Sequence, residues 1–201
     1  EKPQTASGGR IRLVTLAAES GNAVPFIQQC AAEGVVVALG HSAANTDQIH
    51  AAVEAGARLS THLGNGAHAV LPRHPNYLWD QMAEDNLCAS IIADGWHLPA
   101  AVLKCVLRCK SMSRTILTCD VSGFGGCPPG TYTEGDVDVE VLDDGRIVVA
   151  GQRQFLAGSG AITGDCVAHM ISACGLSLSD AVGMATANPA ALFNEPSPNL
   201  T

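Results

Sequence analysis

The chain has few basic or aromatic residues: Lys and Arg number 11 of 201, and Phe, Trp and Tyr make up 4%. With a formal net charge of -8 it lacks the clustered cations that a phosphate backbone requires, which argues against nucleic acid as a partner. No apolar stretch reaches the roughly 18 residues of a membrane-crossing helix, so no membrane partner is expected. The opening EKPQTASGGR has no apolar segment of the kind a secretory leader carries. Eight cysteines are present but none forms a CxxC pair, which argues against a thiolate zinc site. Most fall in stretches that read as strands or helices, where free Cys packs as a small apolar residue. A reduced, cytoplasmic chain is the expectation. An initiator Met is also missing, and the end, FNEPSPNLT, is loop-like; both lead to the expectation of a fragment.

What is present is a repeated layout. Five short apolar runs each end in a residue that can bind a metal or move a proton: Arg12–Glu19, Gly34–Ser42, Arg58–Leu63, Cys88–His97 and Thr115–Asp120. Their polar ends are Glu19, His41, His62, His97 and Asp120. Each run has the length and β-branched content of a buried strand. Helix patterns fill three of the gaps. Ala23–Glu33 stops at Gly34, Asn45–Ala55 starts on an Asn or Thr cap and stops at Gly56, and Pro99–Cys109 opens with Pro. Repeated βα units predict a parallel sheet, and side chains at the C-terminal ends of such strands converge on one functional face.

After Asp120 the layout changes. Residues 121–135 read as a Gly/Pro-rich loop, and Asp136–Val141 and Arg146–Ala150 flank Asp-Asp-Gly, a hairpin signal. Cys166–Cys174 and Leu178–Ala187 read as further helices. Five strands cannot close an eight-stranded barrel, which takes about 250 residues. The chain therefore forms either an open sheet or the later part of a barrel.

Imidazole is the commonest zinc ligand in proteins, and a carboxylate often completes a three-ligand catalytic set. Glu19, His41 and His62 sit 22 and 21 residues apart on consecutive units, and would supply two His and one Glu. A metal there would acidify a bound water, and Asp120 would take its proton and later return it to the leaving group. His68 and His74 lie in a loop that would rim the site. His50 and His169 fall in helices and read as structural or exposed, Asp94 before Gly95 as a turn residue, and Trp79 and Trp96 as core or pocket lining.

The strings LVTLAAE, GHSAA, THLGN, IIADGWH, LTCD and FLAGS, in this order, resemble the amidohydrolase superfamily, and within it the N-acetylglucosamine-6-phosphate deacetylases. The resemblance runs from about residue 10 to 194. It implies an α/β fold of the (β/α)8 TIM-barrel type. Residues 1–201 would form the later βα units of an incomplete barrel, with 136–150 a β-hairpin insertion. It implies Glu19, His41 and His62 as ligands of one divalent metal, zinc or else iron, with Asp120 as acid/base. His97 would bind substrate and polarise its carbonyl, Asn65 and Gly66 would contact the sugar phosphate, and Arg73 would bind that phosphate. FLAGS would close over the acetyl group. The pattern departs from the family at Ala18, where Pro is usual, and at Gly64–Ala67 after THL. The implied activity is removal of acetyl from an N-acetyl amino sugar, with another amide or cyclic imide, or a non-catalytic remnant, as alternatives. The expected partners are a small amino-sugar substrate and, in the full-length parent, a second copy forming a homodimer.

Overall fold

A computed structural model describes residues 2–196. The end of the loop-like tail, 197–201, lies outside the described residues. A short helix, α1 (Lys2–Ala6), precedes four βα units and a fifth strand: β1 (Leu13–Leu16), α2 (Ala23–Ala32), β2 (Val36–Leu39), α3 (Thr46–Ala55), β3 (Ala57–Ser60), α4 (Tyr77–Ala83), β4 (Cys88–Ile92), α5 (Ala100–Lys110) and β5 (Thr115–Thr118). The strands pair in parallel in sequence order, β1 through β5. All five apolar runs thus became strands, shorter than the runs because the polar ends lie beyond the ladder.

Caps explain the helix boundaries. Asn45 accepts from Gln48 N–H while Gln48 reaches back to Asn45 N–H, a reciprocal cap that starts α3. Gly56 ends it with φ 120, and a Cβ there would stand 2.7 Å from Ala31 on α2. Pro99 caps α5 from just outside the first turn, one residue before its expected place. Helix α4 was not expected, because Pro72 and Pro75 give its approach the look of a loop; Asn76 starts it by accepting from Leu78 and Trp79 N–H.

Helices cover one face of the sheet. Val37, Leu39 and Ala57 pack with Ile27, Ile49 and Val53 of α2 and α3. Ala89, Ile91 and Leu117 pack with Leu103, Met170 and Met184, the last two from α6 (Thr163–Cys174) and α7 (Leu178–Ala185). On the opposite face Ala38, Leu59 and Ile116 form a smaller buried cluster, with Leu192 of α8 (Ala187–Leu192) against them. Leu13 on that face is 40% exposed. The expected single helix Leu178–Ala187 is therefore α7, with the chain turning at Thr186 into α8.

The expected hairpin is the centre of a larger antiparallel sheet: β6 (Gly130–Glu134), β7 (Val137–Val141), β8 (Ile147–Val149) and β9 (Gln152–Leu156). Strand β6 replaces the end of the expected 121–135 loop. Val139, Val141 and Ile147 form its small core with Phe124 and Tyr132. No helix among the described residues is long and apolar enough to cross a membrane. All eight cysteines are free.

Candidate active site

Register decides which strand ends meet. Leu39 pairs with Ser60, so His41 and His62, each two residues further on, leave the sheet at one level. Their Nε2 atoms lie 3.0 Å apart, with the rings edge-on. Leu16 pairs with Leu39, which puts Glu19 one residue further out than His41. Its carboxylate meets Ser42 Oγ at 2.5 Å and Ala43 N–H at 2.7 Å instead of the His pair. Among the described residues no three His, Cys, Asp or Glu gather as a metal-holding group. The structure thus joins two of the three expected ligands and holds the third beside them.

Two nitrogens bound at 2.0–2.1 Å to one tetrahedral zinc are separated by about 3.3 Å. The 3.0 Å gap between the imidazoles is close to that spacing, and the donor set suits such an ion. Burial pushes the His62 ring below the ordinary His range; its own backbone and Asp120 oppose this, and His41 and His97 add to it. The neutral ring is the form that binds metal. Burial would raise the Glu19 carboxyl, but the Ala43 N–H and Ser42 hydroxyl, with His68 nearby, bring it below the usual range.

His62 is placed from below as well: its N–H donates to Ser90 Oγ at 2.7 Å, and Ser90 Oγ donates to the Ser60 carbonyl at 3.2 Å. Ser90 breaks the apolar run CASII, which is the only trace it leaves in the sequence. His62, Asp120, Ser90 and Thr15 line one cavity of about 390 Å³ on the half-covered sheet face, with Pro189 and Leu192 of α8 also at its wall. The carboxylate of Asp120 has no hydrogen-bond partner among the described residues, while its carbonyl accepts from Ser159 N–H at 2.9 Å. His41, His62 and Asp120 have φ of 48°, 31° and 52°, three of the five non-glycine residues described with positive φ. Non-glycine residues rarely adopt that conformation, and it collects at functional sites.

His97 is not the level end of β4. That place belongs to Asp94, which is aligned with Asp120 because Ile92 pairs with Thr118. Asp94 turns the chain and bonds His97 Nδ1 at 2.7 Å. The sequence reading of Asp94 as a turn residue holds, but it missed this second partner; the i, i+3 spacing was the available signal. Asn65 N–H donates to the His62 carbonyl at 2.9 Å. At Gly66, where φ is +63, a Cβ would stand 4.0 Å from His41 Cε1, so the Gly64–Ala67 loop passes over His41. His68 is tied to the Tyr77 hydroxyl through both N–H and Nδ1, at 2.9 and 2.8 Å. Arg73 and His74 are exposed on the following loop, and Arg73 forms no ion pair among the described residues.

No family model matches the chain. Individual proteins do. It is 31% identical to the N-acetylglucosamine-6-phosphate deacetylase of Lysinibacillus sphaericus over 94% of its own length and 48% of that protein. It is 33% identical to the N-acetylgalactosamine-6-phosphate deacetylase of Shewanella sp. (strain ANA-3), over 92% of its length and 46% of the relative. Its fold superposes on a mutant of the N-acetyl-D-glucosamine-6-phosphate deacetylase from Mycobacterium smegmatis, in complex with N-acetyl-D-glucosamine-6-phosphate. That match has a TM-score of 0.89 at 32% identity, over 98% of this chain and 52% of the other. The chain spans about half the length of the curated relatives it matches. In sequence and in fold, this chain resembles the N-acetylglucosamine-6-phosphate deacetylases of the amidohydrolase superfamily over about nine-tenths of its residues.

Proposed function

We propose that this chain carries the catalytic edge of a metal-dependent deacetylase acting on an N-acetyl amino-sugar phosphate, giving the free amine and acetate. The observation that carries the reading is the meeting of His41 and His62 at 3.0 Å, with His62 and Asp120 lining one cavity. Glu19, His41 and His62 would hold one divalent ion, with zinc the first choice, once Glu19 releases Ser42 and Ala43. Such an ion supplies Lewis acidity toward the amide carbonyl and acidifies water. The free Asp120 carboxylate accepts the proton of the attacking water and passes it to the departing amine nitrogen. His97 contacts the amide oxygen, Asn65, Gly66 and Arg73 receive the sugar phosphate, and His68 and His74 stand at the rim. The named relatives differ in the sugar, glucosamine or galactosamine, so the epimer is left open.

The scaffold follows the same reading: β1–β5 are the later strands of a (β/α)8 barrel, and 136–150 is inserted into it. The half-covered sheet face supports this, since parallel sheets bury both faces. So does the parallel bridge Val121–Ser159, which continues the sheet past β5. The free thiols fit a reducing compartment such as the cytoplasm.

The test is acetate release from N-acetylglucosamine-6-phosphate, its galactosamine epimer and both unphosphorylated sugars, with metal analysis of the same preparation. Turnover of a phosphorylated sugar that falls on chelation and returns with zinc is the expected result. Turnover only of a cyclic imide, or undiminished turnover after complete metal removal, would overturn the reading.

A further inference from the structure

One carboxylate connects the two later strand ends. The Asp94 side chain is 2% exposed and that of His97 4%. Oδ1 of Asp94 accepts from the N–H groups of Trp96 and His97, both at 2.9 Å. Oδ2 accepts from His97 Nδ1 at 2.7 Å and from Ser159 Oγ at 2.9 Å. Four donors fill the carboxylate's accepting capacity. Burial would raise this carboxyl, but the bonds from His97 and Trp96 outweigh it and bring the group down to about 2.

A carboxylate accepts and does not donate, so the proton of the 2.7 Å contact sits on His97 Nδ1. The other ring nitrogen, Nε2, makes no hydrogen bond among the described residues, and His97 is near enough to His62 to influence it electrostatically. Ser159 extends the reach of Asp94. Its N–H donates to the Asp120 carbonyl and its carbonyl accepts from Ser122 N–H, both at 2.9 Å, which braces the backbone where Asp120 turns to positive φ. The turn itself is confined: a Cβ at Gly95 would stand 3.1 Å from His169 Nδ1.

We infer that Asp94 is the positioning residue of this site, holding His97 with its proton on Nδ1 and Nε2 free for substrate, and setting the Asp120 turn through Ser159. The catalytic part of this inference rests on the deacetylase reading above; the tautomer does not.

Two measurements test it. The imidazole ¹⁵N resonances of His97, assigned by their loss in His97→Gln, are expected to show a protonated Nδ1 in the wild-type chain. In Asp94→Asn the amide can donate to Nδ1, and the proton is expected to move to Nε2. An unprotonated Nδ1 in the wild type, or the same tautomer in both proteins, would sink the proposal. In acetate-release kinetics, Asp94→Asn is expected to lower kcat by about 100- to 1,000-fold, with KM within about threefold. Ser159→Ala keeps the His97 contact, so its expected loss is smaller, about tenfold. Wild-type kcat in Asp94→Asn would overturn the catalytic part. If Asp94→Asn does not fold, the wild-type spectrum and the Ser159→Ala kinetics still decide. A wild-type chain that shows the Nδ1 proton but turns over no acetylated sugar would overturn the deacetylase reading and leave the tautomer standing.

Discussion

Along β1–β3 the polar strand ends have few ties, while at the end of β4 Asp94 has many. His41 and His62 meet each other, His62 Nδ1 is buried with no hydrogen-bond partner among the described residues, and Glu19 is held by Ser42 and Ala43 on the exposed rim. Asp94, in contrast, is saturated by four donors and bound to His97, Ser159 and, through Ser159, the Asp120 backbone. On the deacetylase reading proposed above, the difference separates two tasks. Groups that bind a metal need lone pairs that neighbours have not claimed. Groups that must present one tautomer or one direction need those neighbours. A single sheet edge meets both demands by changing how densely its ends are bonded.

Substitutions at the two halves sharpen that contrast. The largest effect is expected at Asp120: Asp120→Asn should cut acetate release by about 100- to 10,000-fold and leave bound metal unchanged. His41→Ala and His62→Ala should lose both, as acetate release and metal analysis would show. Full activity in Asp120→Asn would remove that residue from the mechanism.

Smaller effects are expected from crowding. A Cβ at Gly40 would stand 2.7 Å from Thr61 Cβ and 2.8 Å from Thr15 Cγ2. Gly40→Ala should therefore destabilise the fold by about 1–3 kcal/mol in urea denaturation and spread the β1–β3 ends. In the other half, Gly95→Ala meets both the His169 ring and a φ of +87, and should cost about 1–2 kcal/mol.

Acid should separate the halves by pH. His62 has a lowered folded pKa, so the unfolded chain binds its proton first; stability is whole above about 6.5 and falls as pH drops below it. Asp94 is also lowered, from 3.8 to about 2, so its contribution is whole above 3.8 and is lost as pH falls toward 2. Urea midpoints measured against pH should therefore show the first half weakening before the second, with the lower step absent in Asp94→Asn. The smallest effect is expected far from the site: Arg153→Ala, at its surface pair with Glu140, should change stability by no more than about 0.5 kcal/mol.

Much of this was legible before the fold. Runs such as VVVALG and CASIIAD have only one economical burial, and Asn45, Gly56 and Gly34 mark helix ends by local chemistry. Less local features were hidden. Strand β6 reads as loop because its Gly and Thr gain their place only by pairing with β7. Helix α4 hides behind two prolines, and the role of Ser90 depends on a neighbouring strand's backbone.

The sequence by itself determined that polar residues end five strand-like runs and which residues these are, because period and length follow from burial of each short segment. Only the tertiary structure decided which ends stand level, because register is set between strands distant in sequence. The pairing of Leu39 with Ser60 brings His41 to His62. That of Leu16 with Leu39 leaves Glu19 one residue beyond them. That of Ile92 with Thr118 puts Asp94, and not His97, beside Asp120.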